Sequence, residues 1–226
     1  MNFSLGAAIM VWLRILLIRH ALSFGNTTRQ MMGQLDDRLV PEGVVQAQHL
    51  LSHLAEHDDK PTMLYSSPIA RAAQTAEILA APFGVDIHYC DDLKELHNGI
   101  FQGLTWHQAM QHHGQLCQRL EASMDWVPIP GSESPQEGRE RANRCIQYWL
   151  ANHSNGDYIW VVSHAGLMQH LISAFLMSDR TWGLSIPNTS VFEFWGDRQR
   201  WFSHGQNRWN TELWKIHRFN DTRHLP

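Results

Sequence analysis

Leu13-Arg14-Ile15-Leu16-Leu17-Ile18 is a near-continuous apolar run that leads straight into Arg19-His20-Ala21. Such a run reads as a strand of a parallel sheet, buried on both faces, with polar chemistry at its carboxyl end. Upstream, residues 1–10 lack a basic n-region and an A-x-A site, and Arg14 comes too early for a membrane span. They read as a short extension, with Met10 as an alternative start, ahead of one domain over residues 11–226.

Downstream, a polar stretch from Ala21 to Leu39 gives way to Pro41-Glu42-Gly43 and to Val44, Ala47, Leu50, Leu51 and Leu54 at helical spacing. Thr62–Tyr65 reads as a second strand, and Ser67 and Pro68 as the cap and first turn of a helix over 68–81. A third strand is expected at Val85–His88. The segment 91–104 reads as a loop, and two helices, Thr105–Leu120 and Pro135–His153, flank a loop at Met124–Ser134. Tyr158–Val162 is a further apolar strand, followed by a helix over Leu167–Met177. Residues 190–216 alternate in strand fashion around Gly196 and Gly205. Strands alternating with helices predict an α/β fold of three layers, a mainly parallel sheet with helices on both faces. No internal repeat or linker divides it.

Composition narrows the function. The chain has 226 residues, 18 Lys+Arg against 22 Asp+Glu, a net charge of −4, and three cysteines, Cys90, Cys117 and Cys145. A domain of this length buries enough surface to need no staple. Without a C-x-x-C pair the thiols read as free, which suits a cytoplasmic location. Mild acidity without Lys/Arg runs argues against nucleic acid and anionic membrane as partners. A small molecule is left.

Ligands in such sheets bind beyond the carboxyl ends of the strands. Strand 13–18 runs into Arg19-His20, strand 158–162 into Ser163-His164, and the second strand through Ser66-Ser67-Pro68 to Arg71 on the next helix. Strand polarity predicts that these groups meet in one crevice. Guanidinium forks match phosphate oxygens, a neutral imidazole can attack phosphorus, and a second one can donate to an equatorial oxygen. The set contains its own nucleophile, so no metal and no cofactor is expected.

Arg19-His20-Ala21 with Asn26, Ser66-Ser67-Pro68 with Arg71, Leu93-Lys94-Glu95, and Ser163-His164-Ala165-Gly166 stand in this order along the chain. Together they resemble the histidine phosphatase superfamily, which includes the cofactor-dependent phosphoglycerate mutases. Ile186–Ser190 and the terminal Asn220–Leu225 resemble further elements of it. The resemblance implies a phosphoglycerate mutase-like fold, His20 as the nucleophile that becomes phosphohistidine, and Arg19, Arg71 and His164 as the phosphate pocket. It implies Glu95 as the acid that protonates the leaving oxygen and then activates water, and Asn26 as a loop contact to the phosphoryl group. Two positions depart from the pattern: Ala21 stands where glycine is usual, and Gln102 where glutamate is common. The Glu-Arg-His-Tyr-Gly run of mutases is absent, since Glu95 is followed by Leu96-His97-Asn98-Gly99. Hydrolysis of a small phosphomonoester is therefore expected, with mutase-type transfer or a weakly catalytic phosphate-binding regulator as alternatives.

His49, His53 and His57 share one helix face, which reads as solvated rather than metal-binding. Trp195, Trp201, Trp209 and Trp214 read as packing residues. Phe24, Trp106 and Trp126 lie in segments expected to overhang the site and are candidates for contact with the rest of the substrate. The stretch Ser190–Phe194 reads as a sheet edge, which could pair across a two-fold axis to make a homodimer.

Overall fold

The computed structural model describes residues 11–56, 60–181, 183–201 and 214–225. Its elements in chain order are β1 (Leu13–Arg19), α1 (Phe24–Thr27), α2 (Pro41–Ala55), β2 (Met63–Ser66), α3 (Ala70–Ala80), β3 (Ile87–Tyr89), α4 (Trp106–Ala122), α5 (Pro135–Asn152), β4 (Tyr158–Ser163), α6 (Ala165–Phe175), β5 (Val191–Gly196), α7 (Arg198–Trp201) and β6 (Trp214–Asp221). Turns of 3₁₀ type lie at Asp91–Leu93 and Gly99–Phe101.

The strands form one sheet in the order β3-β2-β4-β1-β5-β6. β3, β2, β4 and β1 pair in parallel, and β5 runs antiparallel to both β1 and β6. The apolar run of β1 serves both faces because successive side chains alternate. Leu13, Ile15 and Leu17 pack with Ile146 and Trp149 of α5 and Leu171 of α6. Leu16 and Ile18 point the other way, onto Leu50 and Leu54 of α2 and Ala72, Ala76 and Leu79 of α3. This is the expected three-layer α/β architecture. A third, smaller cluster, Phe101 with Ala109 and Cys117 of α4, caps the loop region.

Several local expectations are corrected. The stretch 21–39 contains α1, a helix too short to show periodicity in sequence. α3 begins at Ala70 rather than Pro68, because residues 67–69 stay outside the helix and the Ser67 hydroxyl pairs with His164. α4 continues to Ala122 and is broken at His113, whose φ/ψ of −135/40° is not helical. α6 starts at Ala165, with His164 at the N-cap position but making no side-chain cap bond, and ends at Phe175, after which Met177 adopts a left-handed φ of 52°. The largest correction concerns the sheet edge: 191–194 is interior, held between β1 and β6, so β3 and β6 are the outer strands. A homodimer made by sheet extension would use one of those instead. Gly205 and Trp209 lie outside the described residues. Among the described residues, no helix is long and apolar enough to cross a membrane.

Candidate active site

Because β1, β2 and β4 are parallel, their carboxyl ends fall on one edge of the sheet. The His20 N–H donates to the Ser163 carbonyl at 2.9 Å, and the Ser67 N–H donates to the Val162 carbonyl at 3.0 Å. These bonds extend the ladder by one step and set the next side chains side by side. The rings of His20 and His164 lie 5.0 Å apart, tilted by 58°. Both residues are buried.

The partners of His20 define its proton. Nδ1 faces the Ala21 carbonyl at 2.8 Å, which can only accept, so Nδ1 donates. Nε2 receives a hydrogen bond from Arg71 Nε at 3.2 Å, so it carries a lone pair. Burial, then the charges of Arg71 and Arg19, hold the imidazole well below the ordinary histidine range. His20 is therefore a neutral ring with its basic nitrogen aimed at the Arg71 guanidinium. His164 is likewise held low, by burial and then by His20, Arg71 and Arg19. Its Nε2 pairs with Ser67 Oγ at 2.8 Å, while its Nδ1 is buried without a partner among the described residues.

Arg71 sits in the first turn of α3 and is clamped on the far side. Nη1 donates to Asp37 Oδ1 at 2.6 Å and to the Leu35 carbonyl at 3.0 Å, and Nη2 donates to the Gly33 carbonyl at 2.8 Å. Gly33 turns that carbonyl inward from a left-handed φ of 52°. Arg19 ends β1, and its Nη1 donates to the Ile186 carbonyl. Its Nε is buried with no partner among the described residues. A buried donor of this kind calls for a ligand acceptor.

Glu95 enters from the loop after β3. Its carboxylate accepts from the N–H groups of Leu96 at 2.9 Å, Gly166 at 3.1 Å and Leu167 at 3.1 Å. A Cβ at Gly166 would stand 2.5 Å from Glu95 Oε1, so a side chain there would displace the carboxylate. The Glu95 carbonyl accepts from Gln34 Nε2 at 3.0 Å and from Arg141 Nη2 at 3.3 Å. Gln102 supports this wall from behind, its Oε1 accepting from the Gln34 N–H at 2.9 Å. The glutamine at 102 is thus part of a closed hydrogen-bond set. Ala21 carries no left-handed strain either; its N–H donates to Thr75 Oγ at 3.1 Å.

A cavity of about 200 Å³ gathers Arg19, His20, Asn26, Arg71 and Glu95. Asn26 Oδ1 is occupied by the Ser23 N–H and by Asn188 Nδ2, which leaves its amide NH₂ without a partner among the described residues. Of the groups expected to meet in one crevice, Arg19, His20 and Arg71 line this cavity, whereas His164 is fully buried beside the His20 ring and does not line it. Phe24, Trp106 and Trp126 are corrected: none lines this cavity, and they are 58%, 39% and 52% exposed. Trp106 instead lies edge-on to Phe101 and donates to Glu121. The wall beyond the phosphate end is built by Gln30, Met31, Met32, Leu96 and Asn98.

Two contributors are not among the candidate site residues, although Asn188 lies within the Ile186–Ser190 stretch. Asp37 braces Arg71, and Asn188 Nδ2 donates to the His20 carbonyl at 2.9 Å. Asn188 is positioned by Thr189, whose left-handed φ of 61° is costly for a β-branched residue, about 1–3 kcal/mol. Strain of that size next to His20 is the kind that persists at working sites. Among the described residues no group of three His, Cys, Asp or Glu is arranged to hold a metal ion. Of the helical histidines, His57 lies outside the described residues.

Residues 15–211 match the family described as histidine phosphatase superfamily (branch 1). The chain belongs to the histidine phosphatase superfamily. It is 31% identical over 202 residues to phosphoglycerate mutase-like protein 4 of Arabidopsis thaliana, covering 88% of this chain and 84% of that one. It is 29% identical over 157 residues to the metal-independent phosphoserine phosphatase of the same plant, covering 69% and 65%. The fold matches that of a mycobacterial glucosyl-3-phosphoglycerate phosphatase with a TM-score of 0.73 at 23% identity, over 93% of this chain and 100% of that one.

The Asp37–Arg71 pair in this histidine phosphatase is almost fully buried, with side-chain exposures of 5% and 4%. Asp37→Ala leaves a buried cation uncompensated and is expected to destabilise the fold by about 3–5 kcal/mol. Inorganic phosphate supplies the missing charge, so it should raise the melting temperature of the variant more than that of the wild type. Calorimetry with and without phosphate checks both; equal shifts would contradict the clamp.

Four buried or half-buried histidines, His20, His164, His170 and His224, are held below their ordinary value mainly by burial, His224 at about 4. The unfolded chain takes up these protons at higher pH than the folded one, so acid favours unfolding. Their contribution is complete above about pH 6.5 and is lost as pH falls toward 4. Melting temperatures measured from pH 7.5 to 4.5 should decline through that window; a flat profile would contradict the neutral rings.

Proposed function

We propose that this protein is a metal-independent phosphomonoesterase that acts on a small phosphorylated metabolite through a phosphohistidine at His20. One observation carries the reading: a buried, neutral His20 whose Nδ1 proton is held by the Ala21 carbonyl, with its Nε2 lone pair directed at Arg71. The phosphate dianion takes the place of that Arg71–His20 bond and gathers the donors of Arg19, Arg71, Asn26 and His164. Nε2 attacks phosphorus as the bond to the ester oxygen breaks. Glu95 gives the leaving alkoxide its proton, then as carboxylate takes one from the water that cleaves the phosphohistidine. Alcohol and inorganic phosphate leave, and His20 is neutral again.

The name of the plant phosphoserine phosphatase supports hydrolysis of a small metabolite over mutase transfer, as does the missing Glu-Arg-His-Tyr-Gly run after the third strand. Gln30, Met31, Met32, Leu96 and Asn98 take the role of facing the organic part of the substrate. The reading places the activity in one domain over 11–226 in the cytoplasm, with residues 1–10 as an extension and neither nucleic acid nor membrane as a partner.

The test is hydrolysis of phosphomonoesters such as phosphoserine in excess EDTA across pH. Turnover is expected to persist, and kcat/KM should fall on the acid side only well below pH 6.5, because burial keeps His20 unprotonated down to lower pH. Loss of activity on chelation, or an acid limb at or above 6.5, would overturn the reading.

A further inference from the structure

The C-terminal turn reaches the nucleophile through a chain of hydrogen bonds that the proposed mechanism does not use. β6 ends at Asp221, and the turn after it is closed by the Leu225 N–H donating to the Thr222 carbonyl at 2.8 Å. Leu225 faces Val45 and His49 of α2, and the His224 ring lies 6.0 Å from that of His53 on the same helix. His224 Nε2 is 2.9 Å from Thr189 Oγ. The Thr189 hydroxyl spends its proton on the Asn188 carbonyl at 2.7 Å, so toward His224 it can only accept, and Nε2 carries a hydrogen and donates. Nδ1 is then the unprotonated nitrogen, buried with no partner among the described residues. The bond to Thr189 is what orients the ring.

Thr189 is fully buried and holds a left-handed φ of 61°. A β-branched residue keeps that conformation where its surroundings over-determine it. Its N–H donates to the Arg19 carbonyl at 3.1 Å, which fixes the backbone from the β1 side. His224 fixes the side chain from the other. Held in this way, the chain presents Asn188 so that Nδ2 donates to the His20 carbonyl at 2.9 Å and to Asn26 Oδ1 at 3.0 Å. The second bond decides which end of the Asn26 amide is left for the phosphoryl oxygens: with Oδ1 engaged, it is the NH₂. The start of the same loop is tied to β6 as well, by Asn220 Nδ2 donating to the Ser185 carbonyl at 2.9 Å.

We propose that His224 is a positioning residue for the phosphatase reaction, acting through Thr189 and Asn188 on His20 and Asn26. It touches neither the substrate nor the reacting atoms. Without its hydrogen bond the strained Thr189 relaxes, Asn188 loses its aim, and both the backbone of the nucleophile and the Asn26 amide gain freedom. Such a displacement costs rate although it starts far from the chemistry, because the reacting groups must be held close to their productive geometry. The effect on turnover rests on the phosphatase reading, whereas the effect on anion binding needs only the pocket.

The experiment measures kcat/KM on a phosphomonoester, the dissociation constant for inorganic phosphate by calorimetry, and the melting temperature, in the full chain and its variants. His224→Phe keeps a ring and loses the donor, and should lower kcat/KM by about tenfold or more. Phosphate should bind about threefold or more weakly, the scale of one hydrogen bond. His224→Gln offers an N–H of similar reach and should recover most of both losses. Thr189→Val removes the acceptor and should lose as much as His224→Phe, and the double variant should lose little more than either alone. Arg223, exposed in the same turn, pairs with Asp221, so Arg223→Ala should match the wild type. A residue that merely packs would lower the melting temperature without this dependence on a donor. Wild-type kinetics in His224→Phe, an equal loss in His224→Gln or Arg223→Ala, or losses that multiply in the double variant would overturn the positioning role. Should His224→Phe not fold, Thr189→Val decides, and wild-type kinetics there would overturn it. If the wild type hydrolyses no phosphomonoester, the phosphate constants carry the same test, and if it binds no phosphate either, both readings fall.

Discussion

His20→Ala is expected to lower turnover of any phosphomonoester by roughly 10⁴-fold or more, the scale seen when a hydrolase loses the nucleophile that its other groups serve. The ring nitrogen aimed at Arg71 is the group that the proposed mechanism uses to form the covalent intermediate. Removing it leaves Arg19, Arg71 and the backbone donors in place, so anion binding should survive the loss of chemistry. His20 is buried, and truncation also opens a void and strips Arg71 Nε of its acceptor. His20→Asn guards against that: its amide can still donate toward the Ala21 carbonyl but offers no nucleophilic nitrogen. Both variants should gain thermal stability from phosphate as the wild type does. A variant that keeps more than about a hundredth of wild-type kcat would place the nucleophile elsewhere.

Glu95→Gln should cost about 10²–10⁴ in kcat on alkyl phosphates, the usual contribution of a positioned general acid. The penalty depends on the leaving group. An alkoxide needs its proton as the P–O bond breaks, whereas p-nitrophenolate leaves well without one. Aryl phosphate hydrolysis should therefore suffer far less in the first step than phosphoserine hydrolysis. The glutamine keeps one carbonyl oxygen for the N–H groups of Leu96 and Leu167 but turns an NH₂ toward that of Gly166. Glu95→Ala removes this conflict and should show the same leaving-group dependence. Equal losses on both substrates would mean that Glu95 positions the loop rather than moves a proton.

The strands that carry the site were legible because they are buried on both faces. Leu13–Ile18, apart from Arg14, and Tyr158–Val162 are apolar, and a histidine two residues after such a run stands out. Parallel pairing then implied a shared crevice, and Arg71 fell within the first turn of the helix leading out of it. The corrections arise where tertiary pairing overrides local signals. Ser67-Pro68 has the chemistry of a helix start, yet the serine hydroxyl is engaged by His164 from another strand. Nothing in 190–194 tells an interior strand from an edge, because β6 comes from a distant segment. Asp37 and Asn188 sit in loops where their partners, Arg71 and the His20 carbonyl, are fixed only by the fold. Phe24, Trp106 and Trp126 lie in segments near the site in sequence, but none lines the cavity, and Trp106 packs on Phe101 instead.

The proposed mechanism passes through a covalent phosphohistidine at His20, which rapid-quench trapping detects. The wild-type protein is mixed with a radiolabelled phosphomonoester, quenched in base within milliseconds, and digested for peptide mapping. A base-stable, acid-labile label is expected on the peptide containing His20, formed before phosphate release and absent from His20→Asn. Label on another residue, or steady hydrolysis with no label on the protein at any quench time, would contradict it.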